Sequence, residues 1–119
     1  MSRIAEIRYF RHKLGHTRLK DHMNRIMPTE FPSPICDCGV DRETVEHFLL
    51  NCPLHLKQRE IMIEKIERGY IETHTPHKYR KVNIHTLLGN NSSLSPDMRT
   101  KIKSAVERYL TTTADLAQI

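Results

Sequence analysis

Three thiols and one imidazole fall within seventeen residues: Cys36, Cys38, His47 and Cys52, spaced C-x-C-x8-H-x4-C. These are the only three cysteines in the 119-residue chain. Zinc takes four ligands tetrahedrally, and a thiolate/imidazole set of this kind builds a closed structural site. Four protein ligands leave no position for an activated water, so the ion implied is structural rather than catalytic. Side chains at i and i+2 of an extended segment point the same way, which lets Cys36 and Cys38 reach one ion. Gly39 follows directly and tolerates the positive φ of a tight turn. The other reading of the same residues is three buried free thiols, since cysteine packs as a small hydrophobe. A disulfide framework fits poorly with an odd cysteine count and no secretory apolar segment after Met1.

The elements around these ligands follow from periodicity and punctuation. Asp41 is a candidate N-cap for a helix over 42–51, with Glu43 and Glu46 near its positive end. That helix carries His47 inward on the stripe of Val45, Phe48 and Leu49, and Cys52 falls at its frayed end before Pro53. Upstream, Ile4, Ile7, Phe10 and Leu14 keep helical spacing up to Gly15. Thr17 is placed to cap a second helix bearing Leu19, Met23 and Ile26. Pro28, Pro32 and Pro34 stiffen the approach to Cys36. Downstream, Pro53 opens a helix whose buried face is Leu54, Ile61, Met62 and Ile66, ending at Gly69. The last helix starts at Ser95-Pro96-Asp97 and repeats Met98, Ile102, Ala105, Val106 and Tyr109. The expectation is an all-α fold: a small helical domain with one CCHC zinc knuckle. Its organisation is a basic helical pair, knuckle and following helix over 1–69, a basic and polar linker over 70–94, and an amphipathic helix over 95–119 packing on the same core.

Charge is uneven along the chain, whose formal net charge is +5. Residues 1–27 hold seven Lys/Arg against two acids, residues 28–69 five against eight, and residues 70–119 seven against four. Basic flanks around an acidic metal module point to a polyanion, most simply single-stranded RNA or DNA. The candidate contacts are Arg8, Arg11, Lys13, Arg18 and Lys20 in the first arm, and Lys78, Tyr79, Arg80 and Lys81 in the linker, where the tyrosine is placed to stack a base. The alternative is an ordinary solvated surface on a zinc-stabilised platform for a protein partner or a neighbouring domain. No apolar run approaches a transmembrane length, so no membrane role and an intracellular setting, nucleus or cytoplasm, are expected.

The array Leu14-Gly15-His16-Thr17-Arg18-Leu19, then His22 and Arg25-Ile26, then Ser33-Pro34-x-Cys36-x-Cys38-Gly39, then Glu43-Thr44-Val45-Glu46-His47-Phe48-Leu49-Leu50-Asn51-Cys52-Pro53 resembles the zinc-binding tail of non-LTR retrotransposon reverse transcriptases. The likeness is dense over residues 10–60 and loose beyond. It implies zinc held by Cys36, Cys38, His47 and Cys52, and a role in holding element RNA or target DNA; in the rival platform reading the neighbouring domain is the polymerase body. No paired-aspartate polymerase motif or RNase H acidic constellation is present, which implies a tail fragment or domesticated remnant without enzymatic activity. Pro96-Asp97 with Glu107 superficially resembles the endonuclease of some such tails. However, ten residues of one helix separate the two acids by ~15 Å, too far to share an ion. The remaining histidines, His55 among them, lack ligand-spaced partners and read as exposed or hydrogen-bonded.

Overall fold

Every regular element among the described residues is helical. The computed structural model describes residues 3–113, in which α1 spans Arg3–Leu14, α2 Lys20–Ile26, α3 Leu56–Glu72, α4 Ile84–Leu87 and α5 Pro96–Thr112. No strand occurs among them; one antiparallel bridge, Ile35 to Arg42, closes the cysteine loop. Residues 114–119 of the expected final segment lie outside the described residues.

α5 is the spine. Ser95 Oγ accepts the Met98 amide at 3.1 Å and Pro96 occupies the first turn, so both start signals act as expected. Met98, Ile102, Ala105, Val106 and Tyr109 are all buried, and Leu110 and Glu107 join them. α3 and α1 pack against this face. α3 continues past Gly69 to Glu72, because Gly69 serves packing rather than termination. A Cβ built on Gly69 would stand 3.0 Å from Met98 Cε, so a side chain there would push the Met98 thioether aside. The buried face of α3 is Arg59, Met62, Ile66, Gly69 and Tyr70, whereas Leu54 and Ile61 are exposed.

α1 differs most from the reading of its sequence. Ala5, Tyr9 and His12 face the core, while Ile4, Ile7, Phe10 and Leu14 are exposed. Two helical stripes are interleaved here, and the one with the small Ala5 is the one that packs on α5. His12 stacks on Phe48 with ring centroids 5.6 Å apart, and its Nδ1 bonds the Arg8 carbonyl at 2.8 Å. In α2, Leu19 and Met23 are buried as expected but Ile26 is exposed. Thr17 is not the cap of α2. Its Oγ1 accepts the Leu19 amide at 3.2 Å, and the helix starts one residue later.

Candidate metal centre

The segment from Pro34 to Glu43 doubles back on itself. Cys36 donates its amide to Asp41 O at 2.9 Å, Gly39 to Cys36 O at 2.9 Å, and Glu43 to Pro34 O at 2.8 Å. Gly39 makes the turn at φ +76°, where a side chain would be strained. The Val40 amide points at Cys38 Sγ, 3.4 Å away. The turn thus aims both sulfurs inward with an N–H group already directed at one of them.

The second pair of ligands comes from a helical segment that starts later than Asp41 suggests. Asp41 instead bonds the neighbouring Arg42 amide, and the cap is Thr44, whose Oγ1 accepts the His47 amide at 3.1 Å. From His47 to Asn51 the backbone is a wide π turn, closed by Cys52 N–H to His47 O at 2.7 Å. This turn answers the spacing problem. Five residues of an ordinary α-helix would leave Cys52 about 140° around the axis from His47. An i→i+5 turn absorbs the extra residue and returns Cys52 towards the imidazole.

All four ligand atoms lie within 4.8 Å of one another. Cys36 Sγ is 3.6 Å from Cys52 Sγ, and Cys38 Sγ is 3.3 Å from His47 Nε2. Tetrahedral bonds of about 2.3 Å to sulfur and about 2.0 Å to nitrogen imply S···S near ~3.8 Å and S···N near ~3.5 Å. The donor set and its separations are therefore compatible with one ion at the centre. Cys36, His47 and Cys52 are buried and Cys38 is half-buried. Burial pushes the Cys36 thiol up to about 12 and raises that of Cys52, while the Val40 N–H lowers that of Cys38. Without a cation, then, Cys36 and Cys52 hold their protons. A cation binding there must expel them.

Two polar residues hold the centre in place: Glu43, expected only to complement a helix dipole, and Arg59, which the sequence reading did not name. Glu43 is buried; its Oε1 accepts the Lys20 amide at 2.7 Å, and its Oε2 lies 3.7 Å from Cys36 Sγ. It caps α2 from a distant segment, which ties that helix to the cysteine loop. Arg59 is also buried, donating from Nε to Leu49 O at 3.1 Å and from Nη2 to Cys52 O at 2.6 Å. These carbonyls belong to the end of the π turn, so a guanidinium takes the place of the missing helical donors. Three thiolates and a neutral imidazole around a divalent cation would carry one net negative charge, which Arg59 is placed to offset. Tyr109 Oη donates to Phe48 O, anchoring the same turn to α5. His55 is buried against Phe48 and Tyr109, with centroids 5.1 Å and 6.3 Å away, not exposed. Only its register behind Pro53 hinted at this.

The candidate nucleic-acid residues do not form one cluster of equivalent groups. Arg11, Lys13, Arg18, Lys78 and Lys81 are exposed and make no ion pair among the described residues. Arg8 is half-buried, with its Nε buried and without a hydrogen-bond partner. Lys20 is engaged, paired with Asp37 across to the cysteine loop. Arg80 Nε bonds Thr75 O at 2.7 Å, which makes it a loop staple. Tyr79 is partly buried against the core with Lys78 Nζ 5.0 Å from its ring centre, so its ring is less open than the sequence suggests.

No protein-family model, curated protein or solved structure matches the chain. Fold and site define a small helical domain whose Cys/His cluster is compatible with a metal ion. No described helix is long and apolar enough to cross a membrane.

Proposed function

We propose that the protein is a non-catalytic helical module, stabilised by a structural Zn²⁺ on Cys36, Cys38, His47 and Cys52, that binds single-stranded nucleic acid through its unpaired cations. The metal assignment is supported by ligand chemistry. Three thiolates with one imidazole in a closed tetrahedron suit zinc, and they leave no coordination position for substrate. The nucleic-acid reading is carried by one observation: the exposed cations of α1, the following loop and residues 78–81 stand without acidic partners. The acids nearby are engaged instead, Asp21 with Arg25 and Arg42, Asp37 with Lys20, and Glu43 with the α2 terminus. Cations free of intramolecular pairs are the ones that release counterions on meeting phosphate. The resemblance to a retrotransposon reverse transcriptase tail agrees with this reading and supplies the candidate ligands, element RNA or target DNA.

Fluorescence anisotropy with a labelled oligonucleotide tests it. Log affinity should fall linearly with log salt with a slope of roughly 3–5. Neutralising Arg11, Lys13 and Arg18 together should reduce that slope. Absence of binding at low salt would refute the reading. Metal content is settled by native mass spectrometry of the intact protein, and a metal-free folded chain would refute the zinc assignment.

A second reading rests on the exposed stripe of α1. Ile4, Ile7, Phe10 and Leu14 are between 40% and 68% exposed on one helix. An apolar stripe of this kind suits docking against another polypeptide, such as a neighbouring domain. In that case partner binding would be insensitive to salt, and Ile7→Glu would abolish it.

A further inference from the structure

α1 and α5 leave a groove between them that no candidate from the sequence defines. It runs past Phe10, Lys13, Gly89, Arg99 and Lys103, is wide open to solvent, and offers about 330 Å³. That volume lies at the small end of ligand sites, the size of one nucleotide rather than a folded partner. Its chemistry is specific. Phe10 presents a ring that is 43% exposed, and Lys103 Nζ sits 5.0 Å from its centre and 5.6 Å from that of Tyr9. Lys13 and Arg99 are exposed and make no ion pair among the described residues. Glu6, more than half exposed, lies 3.8 Å from Lys103, and the buried Glu107 is a second acid close enough to act on the Tyr9 hydroxyl.

The floor is kept open by Gly89. At φ +80° it turns the chain out of α4, and a Cβ there would stand 3.0 Å from Tyr9 Oη and 3.5 Å from Lys13 Nζ. A half-exposed aromatic ring beside three cations, one of which lies over its face, matches a flat aromatic base carrying a phosphate. An acidic peptide would use the cations but not the ring face. A purely apolar partner would leave three ammonium and guanidinium groups to be desolvated without compensation.

We infer that the α1–α5 groove holds one nucleotide of a single-stranded nucleic acid, its base stacked on Phe10 and its phosphate met by Lys13, Arg99 and Lys103. This rests on the nucleic-acid reading above and locates its principal contact on α5, outside the linker tyrosine. Lys103 now covers the Phe10 ring; its flexible stem lets the ammonium swing aside to the phosphate as the base enters.

The chain contains no tryptophan, so Phe10→Trp introduces a sole indole reporter at an already exposed position. Titration with oligo(dT) and oligo(U) should quench this indole saturably, with the same midpoint as anisotropy of the labelled strand. Phe10→Leu should weaken single-strand binding about tenfold, as loss of one stacked base does. Arg99→Gln and Lys103→Gln should each lower the salt slope by about 0.7, whereas Arg108→Gln, outside the groove, should not. Anisotropy binding without indole quenching, and unaffected by Phe10→Leu, would overturn the groove while leaving the broader reading intact. No binding of either strand to the wild-type chain at low salt would overturn both. Circular dichroism of each variant separates loss of contact from loss of fold.

Discussion

Replacing Arg59 by methionine isolates what a buried guanidinium contributes to the metal centre. The substitution keeps an unbranched stem of similar length and removes the Nε donor to Leu49 O and the Nη2 donor to Cys52 O. Hydrogen bonds from a charged donor contribute about 1.5–3 kcal/mol each, which sets a gross loss of roughly 3–6 kcal/mol. Removing the charge also removes the cost of having desolvated it, so the expected net loss is about 2–4 kcal/mol. At ~4–8 °C per kcal/mol for a domain near this size, the melting temperature should fall by roughly 10–20 °C. The π turn positions both His47 and Cys52, so metal affinity should fall at the same time, by about 10–100-fold. Thermal circular dichroism gives the first quantity and competition with a chromophoric chelator the second. Arg59→Lys, which offers a point charge in place of the fork, should recover part of the stability. Unchanged metal affinity with a shift under ~3 °C would show that the turn holds itself and that Arg59 merely fills space.

Chelation, His47→Ala and Cys52→Ser should each lower helicity and stability together if ion binding supplies folding free energy. Because Cys36 and Cys52 hold their protons more firmly than an ordinary thiol, metal affinity should climb as pH rises. His55→Ala should cost about 2 kcal/mol, the loss of a buried ring packed on two aromatics; a neutral result in urea unfolding would contradict its burial. Val106→Asp should cost several times more than the ~1 kcal/mol of Ser95→Ala, since one buries an unpaired carboxylate and the other removes a cap. His12 carries a pKa lowered chiefly by burial, so the unfolded chain binds its proton first as pH falls below about 6.5. Stability present above that pH should be lost on acidification, and His12→Phe should flatten that part of the stability–pH curve relative to wild type.

Two parts of the molecule could be read from the sequence because residue type and spacing determine them locally. The thiol and imidazole pattern brought together the four side chains that now face one another, and Ser95-Pro96 with the Met98 to Tyr109 repeat described α5. The misreadings share one cause. Apolar letters at helical spacing were assumed to mark the buried face, yet α1 turns Ile4, Ile7, Phe10 and Leu14 outward and packs with Ala5, Tyr9 and His12. Which stripe is covered depends on the shape of α5, which no local pattern reports. The roles of Arg59, Glu43 and His55 were missed because each is a polar residue whose partners lie on another segment. Gly69 has the look of a helix stop, yet it keeps helical backbone and lies buried against Met98 while the helix runs on to Glu72.

The wide turn between His47 and Cys52 also fixes how this stretch can change over generations. Four residues separate the two ligands, and all of them are strung on one turn with a residue more than an α-helix needs. Deleting one would put the cysteine at i+4, about 40° around an ordinary helix from His47 and still on the imidazole's face, so a plain α-turn would serve in place of the π turn. Adding one would carry the thiol about 100° further round, away from the imidazole. Substitutions here are constrained by packing, and of the two changes of length only insertion takes the thiol off the ligand face. The polar loop at 90–93, which positions no ligand, carries no such restriction. Drift should therefore lengthen and shorten this chain at such loops, while the metal module tolerates losing its one extra residue but not gaining another.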